Sequence, residues 1–267
     1  MNPTEFFELL WQDYVTTTPQ AKKIKSLFES LNETVINDHV AFRTLSDCPV
    51  ELDKLQPLLE GMGYELQDQY VFEKKKLIAK SFIHPDSEVP KIFVSELQRH
   101  LMSEPTQQAL ADMVSQIPDD AAADASILYK GILWQPVSLQ TYQLLVAESE
   151  YAGWLCYMGL RANHFTVSLN HLKHYGDMTS VIELLTDQGF EMNAVGGVIK
   201  GEPEDLLIQS STMADRIPVS FSTGETVVVP SCFYEFARRF DNASGSLFAG
   251  FITNNADKIF ESTNTAA

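Results

Sequence analysis

The sequence repeats itself, and the repeat limits what the chain can fold into. LLEGMGYEL at 58–66 lies over LLTDQGFEM at 184–192: two leucines, three variable residues, a glycine, an aromatic, a glutamate and an apolar residue. His39 precedes Gly63 of the first copy by 24 positions, and His164 precedes Gly189 of the second by 25. Similar elements surround each anchor. In the first copy VINDHVAFRTL (35–45) alternates and is β-branched, as a strand requires, and ELDKLQPLLEGMG (51–63) reads as a helix with Pro57 as its one awkward residue. YELQDQYVF, KKLIAKSFIH and KIFVSEL follow as strands, parted by turn signals such as HPDSEVP. In the second copy ANHFTVSLN reads as a strand, DMTSVIELLTDQG as a helix, FEMNAVGGVIKG and EDLLIQSS as strands, and VVVPSCFYEFARR as a last strand or strand-to-helix passage. Each copy is thus β-α-β-β-β, and duplicated units of this kind pair around a pseudo-symmetric centre.

The expected fold is α+β: two β-α-β-β-β modules forming one curved sheet, at 35–100 and 161–240. Helices precede them at 1–34, where PTEFFELLWQDY and AKKIKSLFESL are amphipathic, and a helical insertion separates them at 101–160. A C-terminal segment, 241–267, completes a single domain.

A formal net charge of −17 argues against nucleic acid and against an anionic membrane surface as partners. MNPTEFFELLWQDY has no basic stretch followed by an apolar one, so no signal peptide is expected. No apolar run approaches the roughly 20 residues a bilayer requires. Cys48, Cys156 and Cys232 are far apart and lack CxxC spacing, which suggests a reducing cytoplasm and no thiolate zinc site.

Strand parity decides which side chains share a face. His39, Ala41 and Arg43 point one way from the first module, and His164, Thr166 and Ser168 from the second. Ser231, Phe233 and Glu235 share a face of the last strand. Either histidine alone is more often structural than functional. Together with Glu235 they form two imidazoles and a carboxylate with open positions, the donor set of non-haem Fe(II) oxygen chemistry. Arg43 adds a permanently charged fork suited to a substrate carboxylate. Glu96 ends the first module as Glu235 ends the second, which keeps a four-donor site open: His39, Glu96, His164 and Glu235 on a redox-inert ion, as a glyoxalase-like lyase or isomerase could use; in the Fe(II) oxygen-chemistry reading Glu96 supports the ligands from behind or is structural. A non-catalytic binding module is the third class. HLKH (171–174) falls in a polar connection, and VGGVIKG lacks a strand–GxGxxG–helix context.

Paired β-α-β-β-β units with ligands on their first and last strands resemble the vicinal oxygen chelate superfamily. Within it, NDHVAFRTL, ANHFTVSLN, LLIQSSTMAD and VPSCFYEFARR resemble the 2-oxoadipate dioxygenase/decarboxylase family. The resemblance implies Fe(II) held by His39, His164 and Glu235, with Arg43 on the substrate. It also implies that 2-oxoadipate and dioxygen give 2-hydroxyglutarate and carbon dioxide, a step of lysine catabolism. By the same resemblance, GSLFAGF places Ser246 and Leu247 where their backbone would approach a substrate carboxylate.

Overall fold

A computed structural model of the protein describes residues 1–263. Its centre is a seven-stranded sheet in the order β2-β3-β4-β1-β5-β9-β6. The strands are β1 (Asn37–Leu45), β2 (Glu65–Phe72), β3 (Leu77–Ile83), β4 (Lys91–Leu97), β5 (Ala162–Ser168), β6 (Leu207–Ser211) and β9 (Phe233–Arg239). β7 (Arg216–Ser220) and β8 (Thr226–Pro230) form a separate hairpin.

The duplication is visible in the pairing. β1 and β5 meet antiparallel at the middle, with His39 opposite Thr166 and Ala41 opposite His164. Each histidine therefore faces the residue two positions beyond the other histidine, as a local two-fold demands. β1 then pairs parallel with β4, and β5 parallel with β9. The glycine common to both copies follows each module's helix with φ of 92° at Gly63 and 83° at Gly189, where a side chain would be strained.

The second copy departs from the sequence expectation at its outer strand. FEMNAVGGVIKG runs beside β6 but makes only the isolated bridges Met192–Thr212 and Lys200–Gln209. Gly196 and Gly197 take successive positive φ values of 68° and 98°, which breaks extended backbone between them. The expected last strand is two strands: β8 belongs to the hairpin, and only β9 joins the main sheet.

Helices cover the convex side. α1 (Pro3–Thr17) starts at Asn2, whose side chain accepts the Glu5 N–H, and buries Phe6, Leu10 and Tyr14 at helical spacing. Trp11 and Tyr14 pack on Phe165 of β5 at ring distances of 5.1 and 4.8 Å. α2 (Pro19–Ser30) packs on β9, α3 (Leu52–Glu60) on β3 and β4, and α7 (Met178–Asp187) on β6 and β9. Between the copies lie α4 (Glu104–Val114), α5 (Leu139–Glu148) and α6 (Glu150–Met158). Ser149 parts α5 from α6 within the insertion: its extended backbone ends the first helix and its side chain caps the second.

The concave side is closed differently. α8 (Thr253–Ile259) touches both edge strands of the sheet, β2 and β6, and so spans the open side of its curl. Phe260 packs on Phe72 of β2, and Asn255 donates to the Leu207 carbonyl of β6.

Candidate metal centre

Three strands from the two copies bring His39, His164 and Glu235 to one point beneath α8. One donor atom from each lies within 4.8 Å of the others, a group able to hold a metal ion. All three are buried, at 2%, 5% and 0% exposure. His164 Nε2 is 3.1 Å from Glu235 Oε2, and His39 Nε2 is 3.5 Å from Oε1.

Register explains the convergence. Glu235 sits beside Thr166 on the parallel neighbour of β5, one pleat from His164. Burial holds both imidazoles below the usual histidine pKa, His164 well below it, whereas the Asp38 carboxylate pulls His39 part of the way back up. They are therefore neutral donors at neutral pH. Burial raises Glu235 to about 8, although Gln209 donates to its Oε1 at 2.7 Å. Its Oε2 is buried without a hydrogen-bond partner among the described residues. Two neutral nitrogens and one under-satisfied buried carboxyl, which gives up its proton when an ion binds, suit a divalent cation.

The same register decides between the two readings of Glu96, in favour of the structural one. Thr166 on β5 corresponds to Ala41 on β1, and the neighbour of Ala41 on β4 is Phe93. Phe93, not Glu96, is thus the first copy's counterpart of Glu235. Glu96 sits beside Thr44, on the opposite face from His39. There it accepts the Leu52 N–H at 2.6 Å, capping α3, and the Gln98 side chain at 2.8 Å. A four-donor site that includes it does not form.

Arg43 is buried against the rings of Tyr151 and Trp154, at 4.8 and 4.9 Å. Its terminal nitrogens donate to Glu150 Oε1 and Thr263 Oγ1, both at 2.9 Å, and its Nε is buried without a partner among the described residues. Ser246 and Leu247 lie elsewhere. Ser246 is exposed and bonded to Asn242, and Leu247 lines an outer cavity of about 290 Å³ beside Asp38, Lys91, His171 and Arg239. That cavity is the roomier one, but the convergent donors are in the inner chamber. The inner chamber has a volume of about 30 Å³ and is walled by Ala41, Phe93, Phe251, Ala256, Ile259 and Phe260.

Two supporting residues escaped the sequence reading. Gln209, on β6, aims Glu235. Asp38 accepts from His39 Nδ1 at 2.7 Å and from Arg239 Nε and one terminal nitrogen at 2.7 and 2.8 Å. Burial would raise the Asp38 carboxyl, but Arg239 and His39 outweigh it and hold it well below the carboxylate range. The signals were a polar residue amid LLIQSS and an acid directly before a candidate ligand.

The family model described as 2-oxoadipate dioxygenase/decarboxylase matches residues 8–244. The chain belongs to the 2-oxoadipate dioxygenase/decarboxylase family. Among relatives, it is 32% identical over 275 residues to the chloroplastic 2-oxoadipate dioxygenase/decarboxylase of Arabidopsis thaliana, covering 94% of this chain and 74% of the relative. A solved structure from Shewanella frigidimarina NCIMB 400, which carries a provisional hydrolase name, is 45% identical with a TM-score of 0.89, covering 94% of this chain and 98% of that one. The hydroxyglutarate synthase of Oryza sativa, solved in complex with 2-oxoadipate, is 29% identical with a TM-score of 0.89, covering 99% and 94%. The fold is the family's curled α+β sheet, and no helix among the described residues is long and apolar enough to cross a membrane.

Proposed function

We propose that this chain is an Fe(II)-dependent dioxygenase/decarboxylase of 2-oxo acids, converting 2-oxoadipate and dioxygen to 2-hydroxyglutarate and carbon dioxide in lysine catabolism. The observation that carries the reading is the convergence of His39, His164 and Glu235, with Glu235 Oε2 against His164 Nε2 but without a hydrogen bond among the described residues. The names of the plant relatives and the 2-oxoadipate complex of the rice protein support the substrate. A ferrous ion held by this set would supply open positions for a chelating 2-oxo acid and for dioxygen.

The chain's own groups have separate tasks. His39 and His164 present neutral Nε2 lone pairs, and Glu235, aimed by Gln209, supplies the anionic donor. Phe93, Phe251, Ile259 and Phe260 exclude water from the reacting atoms. Arg43 holds a substrate carboxylate, exchanging its contacts with Thr263 and Glu150 for the incoming anion. A chamber of about 30 Å³ has room for about one water-sized species, so substrate entry requires α8 and the following turn to move. That motion also takes Thr263 away from Arg43. The three cysteines are free and buried, consistent with a reducing compartment such as the cytoplasm, whereas the named Arabidopsis relative is chloroplastic.

The test is anaerobic reconstitution with Fe(II), then an oxygen electrode with 2-oxoadipate and shorter 2-oxo acids. Oxygen uptake matched by carbon dioxide release is expected. No uptake with any 2-oxo acid refutes the assignment.

A further inference from the structure

The two copies differ in how each histidine is backed. The residue before the histidine is Asp38 in the first copy and Asn163 in the second. Each sits at its ring's Nδ1, Asp38 Oδ1 at 2.7 Å and Asn163 Oδ1 at 3.1 Å. If Nε2 is the metal donor, Nδ1 carries the proton and donates it in both rings. One ring then donates to a carboxylate and the other to a neutral amide. A charged acceptor roughly doubles the strength of such a bond, and it makes the opposite nitrogen the better donor.

Asp38 is itself fixed. Arg239 grips both its oxygens, and the remaining Arg239 nitrogen donates to the Phe248 and Gly250 carbonyls at 3.0 and 2.7 Å. Phe251, next along the chain, stands edge-on to the His39 ring at 4.8 Å. Asn163 has no such support: its Nδ2 is buried without a partner among the described residues.

We propose that Asp38 is a positioning residue that makes His39 the tighter donor to a divalent ion and leaves His164 the looser one. A nearly two-fold fold would thus hold an electronically lopsided site. The proposal rests on His39, His164 and Glu235 being the donors, and is independent of which 2-oxo acid is turned over.

The experiment titrates Zn(II) into the metal-free full chain against a competing chelator, and records proton NMR spectra of the Co(II)-loaded protein. Asp38→Asn should weaken Zn(II) binding roughly 10- to 100-fold, and Asn163→Ala less than roughly threefold. Two shifted, exchangeable ring N–H signals are expected in the Co(II) spectrum. The signal held by Asp38 should exchange more slowly with solvent, and it alone should move in Asp38→Asn. A folded Asp38→Asn protein that binds Zn(II) within roughly threefold of wild type overturns the proposal, as does an equal loss in Asn163→Ala. Should Arg239, deprived of its partner, prevent Asp38→Asn from folding, the wild-type spectrum decides. Unequal exchange of the two signals supports the proposal and equal exchange overturns it. A wild-type chain that binds no Zn(II) overturns the donor set and the proposal with it.

Discussion

Glu235→Gln should make the metal-free protein more stable at alkaline pH while abolishing its metal site. Burial raises the Glu235 carboxyl to about 8, against an ordinary value of 4.5. An acid whose folded pKa exceeds its unfolded one holds its proton more tightly in the fold. Its stabilising effect is therefore complete below the unfolded value, is lost as pH climbs to about 8, and changes no further above that. At about 1.36 kcal/mol per pH unit, the metal-free wild type should lose about 4 kcal/mol between about pH 5 and pH 8 through this one group. Glutamine cannot ionise, keeps the Gln209 contact, and escapes the loss. His39 and His164, both lowered, act in the opposite sense: held neutral in the fold, they cost stability below the ordinary histidine range. Both lie against Glu235, so the two urea-unfolding curves are compared above the ordinary histidine range, where neither ring contributes to the pH dependence. The assay is urea denaturation of chelator-treated wild type and Glu235→Gln from there to about pH 8. Parallel stability–pH curves, or a variant weaker than wild type at about pH 8, would show that Glu235 is not an ionisable burden on the empty site. Adding Zn(II) should then rescue the wild type alone, releasing close to one proton per ion below about pH 8.

Arg43→Ala should keep stoichiometric Fe(II) yet lose turnover of 2-oxoadipate, read by metal analysis beside oxygen uptake; loss of the metal as well would remove Arg43 from the substrate. Glu96→Ala should cost about 1 kcal/mol in urea unfolding, through loss of the α3 cap, and leave metal stoichiometry unchanged. A Glu96→Ala protein that loses metal would restore the four-donor reading. Phe93→Glu places a carboxylate at the counterpart of Glu235, so it should tighten Zn(II) binding while suppressing oxygen uptake by filling an open position; unchanged Zn(II) affinity in a folded variant would count against the two-fold register.

Much of this arrangement was legible in the sequence because strand parity and a repeat are local properties. The placement of His39 and His164 in equivalent strands needs only a period of two and one shared glycine. What escaped depends on partner strands. Glu96 was matched to Glu235 by residue type, whereas the register counts from the histidine through hydrogen-bonded neighbours and arrives at Phe93. Asp38 reads as belonging to the face opposite His39, but the pairing with β5 is irregular between Asn37 and His39, and Asp38 reaches His39 Nδ1 all the same. Arg239 is far from it in sequence, and no spacing rule joins them. Leu247 was placed by resemblance of a short loop, and a loop's path over the surface is set by what it packs on. The missing outer strand of the second copy had a visible cause in Gly196–Gly197, which the alternation of its neighbours outweighed.

The antiparallel seam between β1 and β5 has a further consequence. One imidazole comes from each side of it, while the carboxylate comes from the second side alone. Neither copy can hold an ion by itself, so a bound ion acts as a clasp between two halves that share no disulfide. Mass action then ties the cohesion of the halves to the free metal concentration. Were the backbone cut in the connector between the copies, the β1–β5 pairing and the packing of α1 on β5 would still join the two pieces, and a bound ion would add to that hold. Metal supply would be felt first along that seam, as slower hydrogen exchange of the β1 and β5 amides.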